Sequence, residues 1–254
     1  MDDIEPSAFY TGIVAELYRP LRSSVPESAP YIAFVEGYGQ PALELGCGDG
    51  DPLLDLRERG LDVEGLDSSA DMLERLRAAA VARGVEVVLH HTTIEAMDLG
   101  RRYRSIYLAG PTFNLLADDT TARRALERIA AHLEPEGAAL VPLFIPVATP
   151  PHKLGAVREQ RTPAGALLRV TSVAEARVDD ARQQVTTLRY ELTDADRSEV
   201  IERPWVLHWH TQDGFRALAE RAGLHTNVVL SPEGGVAAPD ADAFAFVLSL
   251  RRAR

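Results

Sequence analysis

Residues 44–50 read Glu-Leu-Gly-Cys-Gly-Asp-Gly, with Gly46, Gly48 and Gly50 at two-residue spacing. The apolar run Pro41-Ala42-Leu43-Glu44-Leu45 precedes them, and a helical stretch opened by Asp51-Pro52 follows. A buried strand, a glycine turn and a helix N-terminus in that order form a cradle for a cofactor. Glycines admit positive φ and close approach of a ligand to the backbone, and the helix start supplies unpaired N–H groups. The spacing departs from the dinucleotide fingerprint Gly-x-Gly-x-x-Gly, and the Gly-Lys-Ser/Thr ending of a phosphate loop is absent. Glu44, Asp49 and Asp51 surround the turn, so its charge opposes a pyrophosphate and suits a phosphate-free cationic ligand.

The elements around this loop alternate. Strands are expected at 41–45, 61–66, 85–90, 105–109 and 138–144. Helices are expected at 52–60, capped by Asp51, at 69–83, ended by Gly84, and at 120–133, closed by a turn at Glu134-Pro135-Glu136-Gly137. Amphipathic helices over 7–18 and 28–39 precede them. Repeated strand-then-helix units predict an α/β fold, a Rossmann-like doubly wound sheet. It has about seven strands, mostly parallel with a C-terminal antiparallel hairpin. Segments 167–178, 184–192 and 199–210 alternate with period two and read as an antiparallel β insertion. Thr211 caps a last helix, 212–222, ended by Gly223, and strands 226–230 and 243–250 form the hairpin. The organisation expected is a helical cap (1–40), a cofactor-binding core (41–146), the insertion (147–210) serving as lid, acceptor pocket or dimer contact, and a closing segment (211–254).

Of 254 residues, 46% are hydrophobic and 26% charged, enough for a sizeable core, and the net charge of −11 opposes phosphate backbones and anionic lipid. Nucleic acid and membrane are therefore excluded as expected partners. Lys153 is the single lysine and Cys47 the single cysteine, so an internal disulfide is impossible. With no secretory pattern in the acidic N-terminus, a cytoplasmic location is expected.

Asp67 ends the second strand about twenty residues past the glycines, where a carboxylate accepts hydrogen bonds from a ribose. With that residue in place, the chain resembles the class I S-adenosylmethionine-dependent methyltransferases of the small-molecule type. The likeness is carried by Leu43–Gly50, by Val63-Glu64-Gly65-Leu66-Asp67-Ser68-Ser69 with Met72-Leu73, by Met97-Asp98-Leu99, by His132–Gly137 and by the helix ending at Ala222-Gly223. The resemblance implies S-adenosylmethionine as methyl donor and S-adenosylhomocysteine as product. It implies that Glu44 orders the loop and the methionine ammonium, that Gly46, Cys47, Gly48 and Gly50 surround the methionine and ribose, and that Asp67 and Ser68 meet the ribose. Met72 and Ile94 would sandwich the adenine, Thr93 would stand near its amino group, and Ala109 would offer a carbonyl. The family often has Asp where Thr93 stands.

The acceptor side is read from position. Tyr10 and Tyr18 on the first helix would cover the cofactor and acceptor. Phe113 and Asn114, past the fourth strand, would meet the substrate at the carboxyl ends of the strands. The Asn/Asp-Pro-Pro-aromatic signature of DNA amino-group methylation is absent there. His208 and His210 alternate onto one face, opposite Trp205, Leu207 and Trp209, and offer a general base or substrate contact. Trp209 is expected at the substrate. No metal is expected, and Cys47 reads as a packing residue. The expected activity is methyl transfer to oxygen or nitrogen of a small metabolite, with a homodimer through the insertion. A methyltransferase acting on protein or tRNA and a non-catalytic S-adenosylmethionine-binding module remain alternatives.

Overall fold

The computed structural model describes residues 8–22, 27–162, 164–231, 235–238, 240 and 245–253. In chain order the helices are α1 (Ile13–Leu21), α2 (Ala29–Tyr38), α3 (Leu53–Glu58), α4 (Ala70–Arg83), α5 (Asp119–His132) and α6 (Gln212–Arg221). The strands are β1 (Ala42–Leu45), β2 (Val63–Asp67), β3 (Leu89–His91), β4 (Tyr103–Tyr107), β5 (Leu133–Phe144), β6 (Val157–Arg161), β7 (Leu167–Val178), β8 (Gln183–Thr193), β9 (Ser198–His208), β10 (Leu224–Leu230) and β11 (Ala245–Arg252).

Seven strands form one sheet in the order β10-β11-β5-β4-β1-β2-β3. β1 pairs in parallel with β2 and with β4, while β11 runs antiparallel to β5 and β10. All four residues of β1 are buried, as expected of a strand covered on both faces. Leu53, Leu54, Leu73, Leu76 and residues of α2 pack on one face, and α5 and α6 contribute Leu126, Ile129, Phe215 and Leu218 to the other. The chain leaves β1 for β2 and β3, then crosses to β4 on the other side. That reversal opens a crevice at the carboxyl ends of β1 and β4, where doubly wound sheets bind ligands.

Local signals fix several ends. The Ser69 hydroxyl accepts from the Met72 N–H at 3.1 Å and caps α4, and Gly84 in the left-handed region ends it. Thr211 caps α6 by accepting from the Gly214 N–H.

Other expectations are corrected. The first helix starts at Ile13, after Gly12 at φ 58°, and the expected residue 7 lies outside the described residues. Asp51 does not cap α3; its carboxylate is taken by Arg22, 2.5 Å away, and Pro52 holds the capping position. Residues 134–137 are not a turn but the start of β5. Gly137 is there for close approach, because a Cβ would lie 2.9 Å from the carbonyl oxygens of Tyr103 and Arg104. The third strand is only Leu89–His91. Ala243, expected to open the last strand, lies outside the described residues.

The insertion is a separate four-stranded antiparallel sheet, β6-β7-β8-β9, one strand more than expected. Its inner face packs on α1: Phe9, Ile13, Val14, Leu17 and Leu21 form one core with Leu168, Val170, Tyr190 and Leu192. No helix among the described residues is long and apolar enough to cross a membrane.

Candidate active site

The crevice at the ends of β1 and β2 holds a cavity of about 230 Å³. Gly46, Gly48, Asp67, Ser68, Met72, Thr93 and Ile94 line it, and Tyr10 and Tyr18 close it from above. Gly46 has φ 68°, and a Cβ there would stand 2.6 Å from Thr112 Cγ2, so any side chain would collide with the cavity wall. Asp67 ends β2 with both oxygens engaged: Oδ2 accepts from the Gly48 N–H and Oδ1 from the Ser69 N–H, each at 2.8 Å. Burial raises the Asp67 carboxyl above its ordinary value. A fixed carboxylate, a side-chain-free loop and apolar Met72 and Ile94 suit the hydroxyls and base of a nucleoside.

The charge around the loop is arranged differently from the sequence expectation. Arg19 reaches Asp49 at 2.7 Å and Arg22 reaches Asp51 at 2.5 Å, so two of the three carboxylates are neutralised from α1. Glu44 remains. It is fully buried, its Oε2 accepts from the Tyr107 hydroxyl at 2.8 Å, and its Oε1 has no partner. Burial pushes this carboxyl up to about 8, against the hydrogen bond from Tyr107. A buried acid with an unpaired oxygen is poised for a cation or a donor. Glu44, Cys47, Gly50 and Ala109 lie outside the cavity lining. Cys47 is buried among Leu53, Leu89 and Gly65, and burial holds its thiol protonated, which makes it packing rather than a nucleophile. Gly50 also serves packing, since a Cβ would meet Leu54 at 2.9 Å.

A second cavity of about 450 Å³ lies between α1 and the inner face of the second sheet. Tyr10 and Tyr18 belong to both linings, with rings edge to face 5.5 Å apart. Trp205 and Leu207 line the second cavity, so the apolar face of β9, not its imidazole face, looks at this space. Sequence reasoning chose Trp209 instead. That residue is buried beyond the end of β9 under the Arg177 guanidinium, 4.2 Å from the ring centroid. Alternation alone distinguished the two faces of β9 without saying which one met a cavity.

Four acceptor-side expectations are corrected by placement. His208 and His210 are 3% and 1% exposed and lie outside both cavity linings. The His210 ring packs against His208, Phe113 and Phe215; His208 Nε2 and His210 Nδ1 are 3.5 and 3.7 Å from Asp119 Oδ1. Burial lowers both imidazoles, His210 to about 3. Their three ligand atoms lie within 4.8 Å of one another. Arg182, however, donates to Asp119 at 2.5 Å and stands 3.4 Å from His210 Nδ1, a fixed positive charge that opposes a metal ion. Phe113 is wholly buried in the core. The Asn114 carboxamide is consumed by backbone: it donates to the carbonyls of Phe144 (2.9 Å) and His208 (3.1 Å) and accepts from the Phe144 N–H (3.2 Å).

Comparison with known proteins agrees with this geometry. Residues 42–137 match the family model described as a methyltransferase domain. Over 144 residues the chain is 35% identical to the dTDP-3-amino-3,6-dideoxy-alpha-D-glucopyranose N,N-dimethyltransferase of Streptomyces fradiae, covering 54% of this chain and 55% of that protein. The match thus spans about half the length of that relative. Among solved structures, the CcbJ methyltransferase of Streptomyces caelestis superposes with a TM-score of 0.71 at 23% identity, covering 91% of this chain and 97% of that one. CalS10, an amino pentose methyltransferase from Micromonospora echinaspora solved with S-adenosylmethionine bound, superposes with a TM-score of 0.64 at 20% identity, covering 96% and 98%. Residues 42–137 are thus similar to a methyltransferase domain, and the fold is the one shared by these solved methyltransferases.

Proposed function

We propose that the protein transfers a methyl group from S-adenosylmethionine to a nitrogen of a small, sugar-like amine, releasing S-adenosylhomocysteine. The observation that carries this reading is the pair of cavities meeting at Tyr10 and Tyr18, one lined by residues suited to a nucleoside and one lying against the second sheet. The activities of the relatives, sugar N-dimethylation and amino pentose methylation, supply the acceptor class.

The residues divide the work. Asp67 receives the ribose hydroxyls, Met72 and Ile94 face the adenine with Thr93 beside it, and Gly46 and Gly48 let the methionine chain lie against backbone. Glu44 stands behind the loop with Oε1 left to hydrogen-bond the methionine end of the donor, directly or through water. The bound donor brings the methyl group on a sulfonium that is already a good leaving group, so the protein chiefly has to align the two partners and exclude water. Tyr10 and Tyr18 form the shared wall where acceptor nitrogen and methyl meet. Burial raises both phenols above their ordinary value, so they stand there as neutral hydroxyls. An amine that enters neutral needs no protein base, which agrees with the absence of His208 and His210 from either lining.

The test is mass spectrometry of a panel of amino sugars incubated with the protein and S-adenosylmethionine. Mono- and dimethylated amines are expected. Tight S-adenosylmethionine binding without any methylated amine would sink the proposal.

A further inference from the structure

The inner face of the second sheet changes character along its length. Inner positions of β8 are Leu192, Tyr190 and Leu188 where α1 covers them, then Thr186 and Gln184, which are 5% and 4% exposed. A sheet face that only packed a helix would stay apolar. These polar groups converge on Glu175 of β7, which lines the second cavity. Glu175 Oε2 accepts from Thr149 Oγ1 (2.6 Å), Gln184 Nε2 (3.2 Å) and Thr186 Oγ1 (3.3 Å). Its Oε1 accepts only from the Thr149 N–H, at 2.7 Å. A carboxylate has about four acceptor sites, two on each oxygen, so Oε1 keeps room for another donor.

Among the described residues Glu175 forms no ion pair. The nearest cation on its own strand is spent elsewhere: Arg177 is bonded to Asp179 at 2.6 Å, to the Pro146 carbonyl and to Gln184 Oε1 at 3.2 Å, and it stacks on Trp209. Gln184 is therefore oriented, oxygen toward Arg177 and amide N–H toward Glu175. Two more arginines line the cavity. Arg22 is locked to Asp49 and Asp51, and Arg158 lies five positions away along β7, opposite Val170. The cavity thus carries an uncompensated negative charge at one end, held rigid by four neutral donors.

Register ties this charge to the reacting end. Trp205, Thr186 and Glu175 form one row across β9, β8 and β7. Trp205 shares the cavity lining with Tyr10, and Glu175 lies two strands away, roughly 10 Å at ordinary strand spacing. That is about the reach of one hexose ring with its substituents.

We infer that Glu175 is a cation subsite of the acceptor cavity, reading a second ammonium group on the acceptor while its reacting nitrogen lies at Tyr10 and Tyr18. The inference rests on the amine-acceptor reading above and names a diamine as the substrate class. Thr149, Gln184 and Thr186 are its positioning residues.

The experiment is calorimetry on the protein loaded with S-adenosylhomocysteine, so that binding is read without transfer. The probes are methyl hexopyranosides carrying two amines, each paired with a counterpart in which one amine is a hydroxyl. The wild type is expected to favour the best diamine by about tenfold or more, as a charge-assisted contact allows. Glu175→Gln should abolish the preference, and Glu175→Asp, which keeps the charge, should retain part of it. Equal affinity within every pair in the wild type, or a preference unchanged in Glu175→Gln, overturns the subsite. The wild-type comparison decides even where a variant fails to fold. Failure of methyl transfer would show separately, in the product assay, and leaves this measurement independent.

Discussion

The two cavities share Tyr10, just before α1, and Tyr18 within it, and differ in how their walls are made. The donor cavity is walled by a loop, the end of β2, the start of α4 and residues 92–95, with Tyr10, Tyr18 and residues between 112 and 121 completing it, and its loop presents glycine backbone held by Asp67. The acceptor cavity joins residues 9–22 to residues 144–207, and its recognition is made by side chains projecting from an alternating sheet. Backbone recognition constrains sequence tightly because glycines and a carboxylate must stand at fixed places. Side-chain recognition leaves the fold free to vary its ligand. On the proposed reading, methyl donor and methyl acceptor meet walls drawn largely from different parts of the chain and joined at Tyr10 and Tyr18, and the contrast is open to test.

The largest expected effect is on the donor side. Asp67→Ala removes a ribose contact together with the acceptor that pins the Gly48 and Ser69 amides. Calorimetry should show S-adenosylmethionine affinity falling by about 100-fold, the scale of a lost hydrogen bond to a charged group. An unchanged affinity would remove the cofactor assignment and with it the division between the cavities.

Glu44 gives the next test. Its folded-state value, about 8, lies above the ordinary 4.5, so the folded protein binds the proton more tightly than the unfolded chain. The stability this confers is complete below the unfolded value and is lost as pH rises through the folded one. Unfolding free energy of the ligand-free protein should fall by a few kcal/mol between those limits, and Glu44→Gln should flatten the decline. A wild-type profile without that slope would mean that Glu44 is ionised at neutral pH in the free protein.

Smaller effects separate structure from chemistry on the acceptor side. Asn114→Ala deletes three hydrogen bonds to buried backbone and should cost about 2–3 kcal/mol in urea unfolding. His208→Ala should lower the thermal midpoint yet leave kcat within about threefold of wild type, because general-base catalysis would cost about 100-fold or more. A large fall in kcat with unchanged stability would restore the imidazole to the chemistry. Cys47→Ala should cost about 1 kcal/mol and retain methyl transfer, as expected for a small packing residue.

The same division explains what the sequence made legible. The glycine loop, Asp67, the Gly84 stop and the Thr211 cap are each specified within a few residues, so they can be read without the fold. Strand β6 was missed because Val-Arg-Glu-Gln-Arg has one apolar residue and every position is exposed. The start of β5 was read as a turn because Pro135 and Gly137 look alike in turns and in tight strand pairing. Arg19 and Arg22 stand some thirty residues before Asp49 and Asp51, so the loop's charge balance depends on tertiary contact. Alternation paired His208 and His210 on one face of β9, but α1 and the rest of the sheet decided that the indole of Trp205 faces the cavity.

The docking of α1 has a consequence for how this molecule could be recombined. Arg203 of β9 donates to the Phe9 carbonyl at 2.7 Å and to Thr11 Oγ1 at 2.8 Å, and Arg197 reaches Glu16 at 2.8 Å. Leu168, Val170, Tyr190 and Leu192 find their apolar cover in a segment that precedes them by about 150 positions in the chain. A chimaera that grafts a relative's second sheet alone would strip that cover and expose those four side chains, at roughly 2 kcal/mol each. Residues 8–22 and 144–208 are therefore the natural unit of exchange, and on the proposed reading altering acceptor choice by grafting requires moving both.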